Sequence, residues 1–287
     1  MLDLSHIPSQ QQQNYTFYAT GNWQAWTKPR NAKIIEIFCL GAGGGGASVY
    51  NSGNSNGGGG GASGGIVRGL IPAFLLPDTI YILVGKGGLG PSALATPGGT
   101  GGISYIGLQP STSEQTLICK SSTTEAGGGN INTAAGTAPT ISAVTLSAFG
   151  NLGLFTAIAG VVGSSGNGGT GNGNGQAALA TSLVTGGGGG GGRSATLFGT
   201  GGTITQATSI LTTPVNGGTT AGQNGADGYG TLQPFCGTGG SGGAGATAGS
   251  GGRGGDGWYG CGGGGAGGGS LKGGQGGDGL VIITVIT

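Results

Sequence analysis

Histidine, charge and proline are all scarce in this chain, and each scarcity closes a class of function. The only histidine is His6. A Ser-His-Asp triad, a Cys-His pair or a histidine-based metal site therefore cannot be assembled within one chain. Charged residues make up 6% of the sequence, the net charge is +1, and no basic cluster exceeds Lys28, Arg30 and Lys33. That leaves no electrostatic footprint for a phosphate backbone, so no nucleic-acid partner is expected. Ten prolines against 79 glycines exclude collagen, which needs one glycine per triplet and abundant proline.

The remaining acidic residues, Glu36, Asp78, Glu114, Glu125, Asp227, Asp256 and Asp278 among them, are not spaced like a glycosidase acid/base pair. Glycine-rich fingerprints recur only because glycine is abundant, and no GxxxxGK run continues into Ser or Thr. The chain is thus expected to be no enzyme, with no cofactor and no metal. Cys39, Cys119, Cys236 and Cys261 lack CxxC spacing and allow three disulfide connectivities. Cys39 and Cys119 lie in apolar runs and read as buried free thiols. The opening MLDLSHIPSQQQQN has neither a basic n-region nor an apolar core, so it does not read as a secretory signal. The longest uncharged apolar stretch, residues 141–162, is broken by Ser142, Thr145, Ser147, Asn151 and Thr156. It reads as two strands about the turn GNLG, and no membrane span is expected.

What is abundant is glycine in phase. Thr238, Ser241, Ala244, Thr247, Ser250, Arg253, Asp256 and Tyr259 recur every third residue, with Gly or Ala in nearly every position between. After Gly269 the phase slips, and Lys272, Gln275 and Asp278 become the X positions of a second Gly-Gly-X run. A period of three matches polyproline II geometry, about 3.1 Å of rise per residue, and neither helix nor strand. Two bare faces let such helices approach and bond backbone to backbone, leaving the X residues as a ridge. Glycine's extra entropy cost, roughly 0.5 to 1 kcal/mol relative to Ala, must be offset by those bonds.

Apolar runs separate the glycine: KIIEIFCL at 33–40, IVRGLIP from 66, TIYILVG from 79, and the uninterrupted LVIITVI at 280–286. The last reads as a strand central in a sheet. Each glycine run begins or ends at a strand, so glycine segments are expected to leave a strand layer and return to it. The terminal runs at 33–40 and 280–286 are expected to frame the domain with glycine helices between them. Residues 108–160 and 194–215 fall outside this plan as further strands or loops. The fold class is all-β, β-sandwich-like strands combined with packed polyglycine II helices. Residues 1–14 form an N-terminal arm, and residues 15–287 the glycine-rich domain. Trp23 and Trp26 read as aromatics capping the sheet. Tyr50, Asn51 and Asn54, between two glycine runs, read as an exposed loop tip. Trp258 and Tyr259 are too large to sit between packed glycine helices and must mark an edge. These five, Tyr50, Asn51, Asn54, Trp258 and Tyr259, are the candidate receptor-binding residues.

The lead-in from Trp26 to Pro29, the strand running into glycine (IIEIFCLGAGGGG), the block GGGGGASGG, the segment IPAFLLPDTIYILVGKGG and the terminal GGQGGDGLVIITVI together resemble the glycine-rich domain of bacteriophage tail fibres and other virion appendage proteins. The resemblance spans most of the chain from Tyr15. It implies a virion structural protein, a fibre or appendage subunit without catalytic residues, oligomeric and often trimeric. The arm would meet other virion proteins. A weaker similarity, to distal adhesins with stacked polyglycine helices, implies contact of the loops with a host surface glycan or protein. The chain departs from those adhesins in dispersing its glycine blocks among strands. A polyglycine II ice-binding or extracellular matrix protein is the alternative; mixed Thr, Ser, Arg, Asp and Tyr at the X positions argue against a flat ice-binding array.

Overall fold

The computed structural model describes residues 12–50, 56–131, 133–141, 154–166, 178–180, 183–206, 211, 213–232, 235–247, 250–270 and 272–287. In chain order the strands are β1 (Gln12–Phe17), β2 (Gln24–Thr27), β3 (Ile34–Leu40), β4 (Ile66–Pro72), β5 (Thr79–Leu83), β6 (Tyr105–Gly107), β7 (Leu117–Lys120), β8 (Leu154–Ile158), β9 (Ala178–Ala180), β10 (Ile204–Gln206), β11 (Gly230–Leu232), β12 (Phe235–Gly237) and β13 (Leu280–Ile286). The only helical pieces among the described residues are 3-10 turns at Ala73–Leu75 and Glu114–Thr116. The chain is all-β, and none of its described helices is long and apolar enough to cross a membrane.

Two antiparallel sheets, β1-β13-β3-β4-β8 and β2-β5-β6-β7, pack on a common core. Strand alternation explains the sorting of side chains. Ile35, Ile37 and Cys39 of β3 stand opposite Val285, Ile283 and Val281 of β13, and all six face the second sheet's Ile80, Ile82, Ile106 and Ile118. Trp26 of β2 is buried in the same core, edge-on to Tyr15 at a centroid distance of 5.6 Å. Gly69 of β4 leaves room for Phe155 of β8, whose ring lies 2.3 Å from where a Cβ would sit. Lys28 ties the sheet edge to the following turn, its Nζ donating to the carbonyls of Ala73 (2.8 Å) and Leu76.

The expectation that the first and last apolar runs frame the glycine body is corrected: β3 and β13 are adjacent partners in one sheet, with Leu40 opposite Leu280. Both are predominantly apolar, and pairing them centrally buries most of both faces of each. β1 begins at Gln12, so residues 12–14 of the expected arm belong to the sheet; residues 1–11 and the GNLG turn lie outside the described residues.

Glycine segments leave the strand ends and return to them. Residues 41–49 extend from β3, residues 57–65 lead back into β4, residues 85–90 leave from the end of β5, and residues 272–279 lead into β13. Their backbone bonding has a period of three. The amides of Gly41, Gly44 and Ala47 donate to Gly65, Ala62 and Gly59; those of Ala42, Gly45 and Ser48 donate to Gly102, Gly99 and Thr96; those of Gly43, Gly46 and Val49 donate to Gly277, Gly274 and Ser270. Each amide of a triplet thus serves a different neighbour. Segment 57–65 donates to segments around 260–266, 127–130 and 161–164, and accepts from 41–47, residue 136 and 187–190. Three neighbours receive its bonds and three supply them, which accounts for nearly every peptide group in a region without strand ladders.

This packing is why the sequence repeats glycine. A Cβ on Gly61 would lie 2.0 Å from the Gly44 carbonyl oxygen, and one on Gly264 would lie 2.0 Å from that of Ser241. The X residues do not all form an outer ridge, as the repeat suggests. Thr238, Ser241 and Ala244 are buried, because this run has glycine segments on every side. Their hydroxyls replace backbone partners: Ser241 Oγ donates to Asn216 O at 2.7 Å and accepts from the Ala226 amide at 2.7 Å. The later X positions reach the surface: Ser250 is exposed, and Thr247, Arg253, Asp256 and Tyr259 are half-buried.

All four cysteines are buried thiols outside any disulfide, so none of the three connectivities is formed. A hydrogen bond with Cys119, together with burial, holds the Cys39 thiol well above its ordinary range. Burial pushes Cys261 from 9.0 up to about 12. Between those values the unfolded chain has released the proton and the folded chain has not, so stability is full below about pH 9 and falls as pH rises. The expected slope is roughly 1 kcal/mol per pH unit. Urea midpoints measured at pH 8 and pH 10.5 (about 9 to 12 being the window) should fall, and Cys261→Ala should fall less. Equal slopes for the two chains would contradict this account.

Candidate functional site

Of the candidate residues, Tyr50 is not brought together with Trp258 and Tyr259. Tyr50 is 58% exposed at the far end of segment 41–49, away from β3. Asn51 and Asn54 lie outside the described residues. Trp258 and Tyr259 are half-buried at the opposite end, against the outer face of the five-stranded sheet. There Arg68 stands 5.4 Å over Phe38, Phe38 is 4.9 Å from Phe235, Phe235 is 5.4 Å from Trp258, Trp258 is 5.1 Å from Tyr259, and Tyr259 is 6.0 Å from Tyr18. Leu40, Ile66, Val184, Cys261 and Leu280 belong to the same cluster. Offset and edge-on ring pairs contribute beyond their buried area, so the aromatic pair joins the glycine segments to the sandwich. Gly260, directly after it, has φ +69°, and a Cβ there would lie 2.5 Å from Leu40 Cδ1. Conformation and space both demand glycine at that turn.

The other end of the glycine segments carries the surface chemistry. The two late Gly-Gly-X runs lie side by side and parallel: the amides of Gly254, Gly257 and Gly260 donate to the carbonyls of Lys272, Gln275 and Asp278. This register places Arg253 and Asp256 of one run beside Lys272 and Gln275 of the other. Side-chain oxygens then satisfy amides that face no further segment. Asn224 Oδ1 accepts from Arg253 N at 2.9 Å, Asp227 Oδ1 from Asp256 N at 2.8 Å, Asp256 Oδ1 from Gln275 N at 2.7 Å, and Asp278 Oδ1 from Gly87 N at 2.8 Å. These three carboxylates are therefore engaged with backbone.

Arg253 Nη2 is ion-paired with Asp256, and that bond raises the arginine's pKa further. Beside the pair opens a cleft of about 310 Å³, walled by residues 90–92, Arg253, Lys272 and Gln275. Tyr50 is close in the chain path: the amide of Val49 donates to Ser270 O at 3.4 Å, and Ser48 Oγ donates to Ala93 O at 2.6 Å. Sequence reasoning named Arg253, Lys272 and Gln275 as X positions but not as neighbours, since their juxtaposition depends on the register of two runs. No group of three or more potential metal ligands occurs among the described residues.

A sandwich at one pole with glycine segments running from it to a loop-bearing pole defines a glycine-rich β protein. Residues 18–285 match the glycine-rich domain family, and the chain belongs to that family. No curated protein matches it.

Proposed function

We propose that the chain is a non-enzymatic structural subunit of a bacteriophage virion, part of a fibre or appendage, whose glycine segments form a polyglycine II bundle. The observation that carries this reading is the polarity of the fold. A sandwich holding β1 gathers the strand ends at one pole, and residues 41–49, 85–90 and 272–279 connect it to loops at the other. A rigid spacer between an attachment end and a presenting end has this form. The three-residue bonding period supports the polyglycine II assignment, because a helix of three residues per turn returns each amide to the same neighbour every third residue. The subunit assembles as a homo-oligomer, a trimer by the resemblance of its sequence to fibre domains, with residues 1–11 meeting other virion proteins. The loops at the far pole, Tyr50 among them, serve host attachment. The X residues Ser250, exposed, and Arg253 and Asp256, half-buried, differ in size and charge and offer no flat threonine array for ice.

Mass spectrometry and cryo-electron microscopy of purified particles test the proposal. The chain is expected in the particle at a projecting position; its absence from purified virions would sink the reading.

A further inference from the structure

We propose that the cleft between residues 90–92 and the paired Gly-Gly-X runs is a binding site for a sugar acid, a hydroxyl-rich molecule bearing one carboxylate. It deepens the attachment reading, on which its biological use rests, but the chemistry stands on the cleft itself.

The charge of the cleft selects a monoanion. The chain carries nine Lys and Arg in 287 residues, and two of them, Arg253 and Lys272, line this one opening. Asp256 compensates Arg253 through their ion pair, and its carboxylate also accepts the Gln275 amide. Lys272 is exposed and has no ion pair among the described residues. One uncompensated positive charge therefore faces the opening, with the unpaired edge of a guanidinium beside it. A carboxylate meets both as a charge-assisted acceptor, whereas a dianion would bring a second charge against Asp256. Asp278, the nearest other carboxylate along the run, is held by the Gly87 amide.

The remaining wall selects hydroxyls over apolar surface. Ser92 and Gln275 supply a hydroxyl and a carboxamide, each able to donate and accept. Gly90 and Gly273 lack side chains, so peptide groups form the wall between them. Among the described residues Pro91 is the only apolar side chain lining the opening, and no aromatic ring does. A volume of about 310 Å³ lies at the small end of ligand sites, enough for one sugar ring and not for an extended chain.

The test is titration of the purified, full-length chain with glucuronate, followed by amide chemical shifts. Saturable shifts are expected at Ser92, Lys272 and Gln275. Glucose, which lacks the carboxylate, and acetate, which lacks the hydroxyls, should each bind about tenfold or more weakly. Lys272→Gln, at an exposed position, should weaken glucuronate about tenfold, while Lys86→Gln, outside the cleft, should not. Unsaturable binding, glucose or acetate binding as tightly, inorganic phosphate binding more tightly, or a Lys272→Gln chain binding like the parent would each overturn the proposal. Binding is read on the isolated chain, so a cleft that fails to bind and a chain missing from virions are separate results.

Discussion

Gly254→Val is expected to cost on the order of 3 to 5 kcal/mol, while Ser250→Val, in the same run, is expected to stay within about 0.5 kcal/mol of the parent. The difference lies in what surrounds the new carbon. A Cβ on Gly254 would sit 2.0 Å from the carbonyl oxygen of Gly264, and that oxygen belongs to backbone held by its own bonds. Nothing there can turn aside as a side chain could. Relief requires separating segment 250–257 from segment 261–268, which breaks the bonds from Gly264 to Gly255 and from Gly267 to Gly252. Ser250 is exposed, and its branched replacement meets solvent. A domain of this size should lose roughly 10 °C or more in Tm for Gly254→Val. Gly254→Ala separates packing from backbone entropy. Where space and conformation permit, Gly→Ala stabilises by about 0.4 to 1 kcal/mol, so a destabilised alanine variant assigns the loss to the contact. Equal melting temperatures for the Gly254 and Ser250 variants would contradict close packing of the segments.

Leu40→Ala should cost about 2 to 5 kcal/mol and should do so in both halves of the molecule at once. The side chain is fully buried where the sandwich ends and the glycine segments begin, against Gly260 and among Phe38, Ile66 and Leu280. Its carbonyl accepts the Ser104 hydroxyl at 2.6 Å, and Ser104 Oγ in turn accepts the Gly85 amide at 3.0 Å. Truncation leaves a cavity in the joint that neither half can fill by moving alone. Trp26 in the sandwich and Trp258 at the joint report on the two regions separately. Single-tryptophan chains are expected to show coincident unfolding transitions, both shifted by the same amount in Leu40→Ala. Separate transitions would mean that the glycine segments and the sandwich fold independently.

The strands at 34–40, 66–72, 79–83 and 280–286 were legible because β-branched and apolar residues in short runs bounded by glycine or proline have few other uses. The short strands β6, β7, β11 and β12 were not, since three or four residues carry too little alternation to stand out from neighbouring loops. The period of three was legible for the same reason as its necessity: nearly every intervening glycine stands against a carbonyl. Whether an X residue is inside or outside was not. Ser241 and Ser250 are the same residue in the same phase, yet one is buried with three hydrogen bonds and the other is exposed. The candidate residues divide similarly. Tyr50 is exposed where segment 41–49 ends, while Trp258 and Tyr259, placed at an edge by their bulk, meet the edge that faces the sandwich.

By itself, then, the sequence determined the materials: a β class, glycine segments of period three, and the chemical inventory from which any site must be built. These follow from local sterics and from composition, which act residue by residue. Only the tertiary structure decided that β3 and β13 pair, that the first Gly-Gly-X run is interior where it begins and peripheral where it ends, and that Arg253 meets Lys272. Such facts depend on register between segments distant in sequence. A repeat of similar three-residue units cannot encode its own register; the aromatic joint at Trp258 and the strand ends fix it.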